Sequence, residues 1–327
     1  MILEQRRFEF LLRADSPISH AQETFGNTQT IMRSTVIQPD GSRVSVPIIT
    51  GDTMRHGLRE AAAWLLLESA GIGENKLTEA ALRLLFAGGM VTGSSGSAVS
   101  LDAYRRLVEL IPPLALLGGC ASNRVLPGRL HVDQAVLVCT ETEPFLPAWV
   151  REFLGTRKIT SCRGHVENVQ RVRMDPTLDP GKRGLLTESE RAVVEGRLLA
   201  SEEASTSGDV VAAVETKSSM MPFSYERIAQ GSLFFWGITV TSFSALDMDT
   251  FTAMVGTFLR RAIVGGKKGT GHGLLVPVKA QDVRLANFTE RSESLEIEPA
   301  RKVGELFRAH VAERAAAIGE LLQTVAA

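Results

Sequence analysis

Cysteine is scarce in this 327-residue chain, and the three present are scattered. Cys120, Cys139 and Cys162 form no CxxC pair, so neither a disulfide framework nor a cysteine zinc site is indicated. No HxxxH and no spaced carboxylate cluster suggests another metal, and no metal ligands are assigned. Long apolar runs are missing too. Ala61–Leu67 is among the longest and is far short of the roughly 20 residues that a bilayer-spanning helix needs. The opening Met-Ile-Leu-Glu-Gln-Arg-Arg lacks the basic-then-apolar order of a secretory leader. A reducing cytoplasm is the expected setting, with no membrane partner.

Signatures of catalysis and of cofactor binding are equally thin. No Gly-Lys-Ser/Thr triplet occurs, which excludes a P-loop. The glycine-rich stretch 265–273 follows a predicted helix and precedes a predicted strand, the reverse of a dinucleotide fingerprint. Gly93-Ser-Ser-Gly96 has the wrong spacing for a nucleophile elbow. No cofactor and no catalytic residue is assigned on these grounds.

An excess of positive charge, the usual mark of a nucleic-acid binder, is also absent: 36 Lys and Arg face 37 Asp and Glu, a net charge of −1. The charge is segregated, however. Arg157, Lys158, Arg163, Arg171 and Arg173 share their stretch with one acid, Glu167, whereas acids gather at 188–203 and 290–298. Such a stripe suits a protein that grips phosphate with one segment; it suits an ordinary solvated surface as well.

Periodicity supplies the elements. Arg6–Arg13 alternates, with Phe8, Phe10 and Leu12 on one side, as a strand does. Ser16–Thr30 reads as a loop, and Asp40-Gly41 as a hairpin turn between Ser34–Gln38 and Arg43–Pro47. Thr50-Gly51-Asp52 can cap a helix reaching about Ala70, with Met54, Leu58, Ala61 and Leu65 on its apolar face. Helices are expected near Thr78–Ala87 and Leu101–Leu110, the latter ended by Pro112-Pro113. A strand is expected over Arg129–Cys139, then an irregular insert, a strand at Ser232–Val240, a helix at Met248–Ile263, a strand at Leu274–Ala280 and a last helix over Ala300–Val325. Without the insertions the order is strand, helix, strand, strand, helix, strand. That is an α+β, ferredoxin-like arrangement, also used by RNA-recognition domains.

Four segments, in order, resemble the RAMP superfamily of CRISPR-associated proteins. Pro47-Ile-Ile-Thr-Gly-Asp-Thr-Met-Arg-His-Gly-Leu-Arg59 is similar to its strand-to-helix motif, with Thr50 where a second proline is common and Asp52-Thr53 where two serines are. Leu116-Leu-Gly-Gly119 with Pro127-Gly-Arg-Leu130 resembles the stretch before the second core strand. Phe223-Ser-Tyr-Glu-Arg-Ile-Ala-Gln-Gly-Ser-Leu-Phe234 resembles the hairpin that closes an inserted thumb, and Gly265-Gly-Lys-Lys-Gly-Thr-Gly-His-Gly273 the family's glycine-rich loop. The resemblance is strongest to the family-seven backbone subunits. The Ser16–His20 and Gly26-Asn27 segment leans toward the type IV branch, with type I-D and type III subunits also similar.

The resemblance implies a ferredoxin-like palm: a first half over 1–155 with a helical insertion at about 71–118, an inserted thumb over 156–224, a second half over 225–290, and a C-terminal helix over 291–327. It implies a guide-RNA-binding backbone subunit that polymerises head-to-tail along the spacer, meets other effector subunits and engages target nucleic acid through the guide. The RNA-binding residues it suggests are Ser19, His20, Asn27, Arg33, Arg55, His56, Arg59, Arg157, Lys158, Arg163, Arg171, Arg173, Met221, Phe223, Lys267, Lys268 and His272. Arg55 and Arg59 are expected exposed at a helix start, where phosphate binding is favourable, or else paired with carboxylates such as Glu60. The glycine loop offers close backbone approach with Lys267, Lys268 and His272 as donors, or is a plain helix-to-strand turn. Met220, Met221 and Phe223 offer apolar surface against a base, or core packing.

Two catalytic alternatives remain. Type III relatives cut target RNA with an aspartate after the first strand; the corresponding stretch, Ala21–Gln38, has only Glu23 as an acid. A guide-processing endonuclease would need a histidine base, for which His20 and His56 are available without an evident partner.

Overall fold

The computed structural model describes residues 4–89, 101–121, 124–172, 176–207, 222–286, 289–295 and 304–324. In chain order the strands and helices begin with β1 (Glu4–Ala14), β2 (Ala21–Phe25), β3 (Thr28–Ile31), β4 (Arg33–Ile37), β5 (Arg43–Ile49) and α1 (Gly51–Ala70). Then come α2 (Glu79–Ala87), α3 (Leu101–Leu110), α4 (Pro112–Leu117), β6 (Gly119–Ala121), β7 (Arg124–Leu126), β8 (Leu130–Val132) and β9 (Ala135–Leu137). Next are α5 (Ala148–Leu154), β10 (Val166–Arg171), α6 (Pro180–Arg183), α7 (Glu188–Ser207), β11 (Phe223–Ile228) and β12 (Leu233–Ser242). The last are α8 (Ala245–Arg260), β13 (Ala262–Ile263), β14 (Leu274–Ala286), β15 (Thr289–Leu295), α9 (Glu305–Glu313) and α10 (Ala315–Thr324).

Two compact units result. The first comprises Met1–Gln22, Ile31–Glu167 and Arg227–Ala327. Its sheet runs β13-β14-β1-β12-β9-β5-β4, with β15 on β14 and β8 on β12. The elements β1, α1, β8/β9, β12, α8 and β14 give the ferredoxin-like α+β order expected from the sequence. β1 sits inside the sheet, antiparallel to β12 on one edge and to β14 on the other, with Phe8, Phe10 and Leu12 on its apolar face. Phe8, Phe10 and Leu12 enter the main core with Trp236, Phe251 and Phe258. Phe8 lies 4.9 Å from Phe251, and Trp236 lies 5.8 Å from Phe258. Each such ring, fully buried, stabilises the fold by about 2–3 kcal/mol. Leu11 joins Val138, Trp149, Val150 and Leu154 in a separate cluster under α5.

α1 and α8 pack closely because of Gly57: a β-carbon there would stand 2.5 Å from the Phe258 ring. A third cluster fills the space among α1, α2, α9 and α10 with Leu66, Leu84, Phe307, Val311, Ile318 and Leu322.

Several expectations need correction. Arg129–Cys139 is two short strands, because the register against β12 shifts by one residue between them: Val132 stands opposite Ile238 but Val136 opposite Phe235. Pro112-Pro113 also begins α4, at positions where a helix needs no N–H. The last helix is two: α9 packs on α8 and α1, whereas α10 packs on α1 and α3, and the break at Arg314 redirects the chain. The Ser16–Thr30 segment is not all loop; it carries β2 and β3, turned at Gly26 with φ +56°.

The second unit comprises Glu23–Thr30 and Asn168–Glu226. Its strands belong to a four-stranded sheet of order β10-β11-β3-β2. Thr28 Oγ1 and Ser224 Oγ lie 3.0 Å apart across the parallel β3–β11 pair. Tyr225 is buried here, stacked on Phe223 at 6.2 Å. α7 arises from the acidic stretch at 188–203, where Arg191 and Glu195 form an i,i+4 pair at 3.0 Å.

Candidate nucleic-acid interface

The start of α1 is fixed from three directions. Thr50 caps it, its hydroxyl accepting the Thr53 N–H at 3.3 Å. Gly51 lies so close to β8 that a β-carbon would stand 2.6 Å from the Val132 carbonyl oxygen. The Thr50 N–H donates to His20 Nε2 at 3.3 Å. Burial lowers the His20 pKa, so its imidazole is neutral at pH 7 and can accept that bond.

The glycine-rich loop is fastened to the same place. Gly266 N–H donates to the Ser19 carbonyl at 2.6 Å, and Gly273 N–H to Pro17 at 2.9 Å. Leu274 N–H donates to Ser16 Oγ at 2.9 Å. Gly265 has φ +75° and lies against Ser19; a β-carbon there would stand 2.6 Å from the Ser19 oxygen. Gly273, at φ +101°, leaves no room for a side chain beside the Val264 carbonyl. Even Lys267 takes the left-handed conformation, φ +56°.

These constraints produce a cavity of about 400 Å³ lined by His20, Asp52, Thr53, His56, Gly265 and Lys268 among others. His56 and Lys268 are exposed at its rim. The N–H groups of the first turn of α1 and the Lys268 ammonium favour an anion, against one opposing charge from Asp52. Residues from the first loop, the helix start and the glycine loop thus meet in one place. In the sequence Asp52 stands out as a helix-cap residue and, with Thr53, as a departure from a motif, not as part of a site. Their place within the first turn was the signal that they line the site.

Other predicted residues lie elsewhere. Arg55 and Arg59 do not stand free on the helix start. Arg59 is 8% exposed and donates to the Gly118 carbonyl at 3.0 Å and to that of Leu117 at 3.3 Å. Arg55 donates to the same Leu117 carbonyl and, at 3.3 Å, to that of Leu130. The end of α4 has carbonyls without helical partners, and these guanidinium groups supply the donors. Their partners are carbonyls rather than Glu60. Burial lowers both pKa values, that of Arg59 to about 10, which still leaves it charged at pH 7.

Ser19 and His272 are buried as well. Ser19 serves through its carbonyl, and His272 Nδ1 faces the Thr270 carbonyl at 3.2 Å inside the glycine loop. Both therefore shape the loop rather than reach outward. Lys267 and Arg33 are half-buried, Arg33 opposite Pro47 across β4 and β5.

Arg157, Lys158 and Arg163 are exposed in the first unit. Arg157 lies 5.1 Å from the centre of the Phe153 ring, and Lys279, which sequence reasoning missed, lies 5.8 Å from it on strand β14. In the second unit Asn27 is exposed at the β2–β3 turn, Phe223 is half-buried, and Arg171 lies over Tyr225 at 5.9 Å. Arg173 and Met221 lie outside the described residues.

No family model matches the chain, and no curated protein matches it. A solved structure titled "Type IV-B CRISPR Complex" contains a chain that superposes with a TM-score of 0.51 at 20% identity, over 92% of this chain and 98% of that one. Nearly end to end, this chain shares the fold of a chain in that complex.

Proposed function

We propose that this protein is a guide-RNA-binding backbone subunit of a CRISPR ribonucleoprotein: it lies along the RNA, presents it for target pairing and cuts nothing itself. The observation that carries the reading is the cavity at the start of α1. Three segments distant in sequence bring His20, His56, Lys268 and the positive end of α1 together there, the loop glycines letting the chain's own backbone close tightly around the site. Such a site takes a phosphate and reads no base, as a subunit serving any guide sequence requires. The fold likeness to a chain of a type IV-B CRISPR complex supports the same reading, as does the exposed cationic group Arg157, Lys158 and Arg163.

The test is fluorescence anisotropy with labelled single-stranded RNAs of unrelated sequence. Affinities within a few-fold of one another, lowered at least about tenfold by Lys268→Glu with His56→Ala, support the proposal. Binding that this double variant does not weaken removes the site from it.

A further inference from the structure

Away from that cavity, α1 and α2 leave an apolar groove of about 830 Å³. Trp64 is 60% exposed and meets Phe86 edge-on at 5.3 Å, and Leu82 beside them is 48% exposed. A large ring left mostly in water within an apolar cleft marks a surface that binds something. The rim carries Glu60, Glu74 and Glu79 with Lys76, and Arg83 pairs with Glu79, which leaves a net negative rim. An occupant must therefore bring an apolar anchor with positive charge beside it.

The chain carries such a segment in its second unit. Among the described large apolar side chains, Leu185 is the most exposed, at 86%. It follows Lys182 and Arg183, and no acid occurs between Pro180 and Thr187. The turn is set before binding: Gly181 N–H donates to Asp179 Oδ1 at 2.9 Å, and Leu185 N–H donates to the Lys182 carbonyl at 3.0 Å. The ion pair of Lys182 to Asp179, at 3.6 Å, is exposed and weak.

We infer that the Trp64 groove of one copy receives the Lys182–Leu186 turn of a second copy, with Leu185 against Trp64 and Phe86 and the two cations against the acidic rim. The inference rests on the backbone-subunit reading and names its protein–protein contact. Groove and turn are different surfaces, so the contact is heterologous and propagates instead of closing into a dimer. A contact this small is weak in isolation. Copies held side by side on one RNA would meet at high effective concentration, and the same contact would then suffice.

The test uses full-length protein without RNA, in sedimentation velocity over a concentration series. Concentration-dependent association is expected. Trp64→Ala and Leu185→Glu should each weaken it at least about tenfold; both side chains are largely exposed, so neither change empties the core. An equimolar mixture of the two variants should associate better than either alone, because the first keeps its turn and the second keeps its groove. Trp149 and Trp236 are buried, so association should also shift the emission of Trp64 to the blue. Wild-type protein that stays monomeric with unchanged emission, variants that associate like wild type, or a mixture that gains nothing would each overturn the inference. RNA affinity of the same variants, measured by anisotropy, separates the two claims: loss of self-association leaves it intact, and absence of RNA binding leaves the sedimentation result standing.

Discussion

His20 Nε2 stands 3.2 Å from Thr50 Oγ1, so the imidazole of the first loop is locked to the cap residue of the helix that follows the β4–β5 hairpin. This contact sets the distance between the loop and the start of α1, and with it the width of the candidate site.

The contact depends on a neutral imidazole. The folded His20 pKa lies below the ordinary value because of burial. Its contribution to stability is complete above about pH 6.5 and is lost as pH falls through the depressed folded value. His165 and His310 shift in the same direction, so the comparison must be with a variant. His20→Asn should lose less stability than wild type between pH 7.5 and 5, in denaturant melts at each pH. Identical pH dependence in both proteins would contradict the assignment.

Glu141 acts in the opposite chemical sense. Burial raises its pKa, but the Cys162 N–H and the Ser161 hydroxyl, each donating at 2.8 Å, outweigh that and hold it at about 2. A depressed carboxylate stabilises the fold above its unfolded pKa of about 4.3, and the gain disappears as pH falls toward 2. Glu141→Gln should be destabilised at pH 7 and should approach wild type below about pH 3. A pH-independent difference would place its role elsewhere.

Arg59 and Lys268 should separate stability from binding. Arg59→Ala leaves the Leu117 and Gly118 carbonyls short of a donor and a buried space unfilled, a loss of about 2–3 kcal/mol in a urea melt. Lys268→Ala should leave the melt unchanged and weaken RNA binding. If Arg59→Ala melts like wild type, the carbonyl contacts do not hold α4 in place.

Purified protein should give no RNA cleavage above background with Mg²⁺ or Mn²⁺, even on a fully paired target. The sole acid of the stretch 21–38, Glu23, is exposed on strand β2. Cleavage abolished by Glu23→Ala or Asp15→Ala would replace the structural reading with a catalytic one.

Local rules made much of the fold legible. Phe8, Phe10 and Leu12 announced the central strand, Asp40-Gly41 the hairpin, and Thr50 the helix cap, because each acts within a few residues. Long-range pairings were not legible. Nothing near Arg59 signals that its partners are the carbonyls of residues 117 and 118, and an arginine in a helix's third turn reads equally well as exposed. The one-residue register shift between β8 and β9 likewise shows only against β12, a strand about a hundred residues away. Within the site, His20, His56 and Lys268 were found from their motif positions. Ser19 and His272 were read as outward donors, since sequence does not reveal which loop side chains fold under.

Salt dependence of single-stranded RNA binding tests the central claim most directly. If about five phosphates are neutralised per subunit, log K should fall against log salt with a slope near −3 to −4, whatever the RNA sequence, and Lys268→Ala should make it shallower by about 0.7. An affinity that hardly changes between low and high salt, or no binding at all, would contradict it.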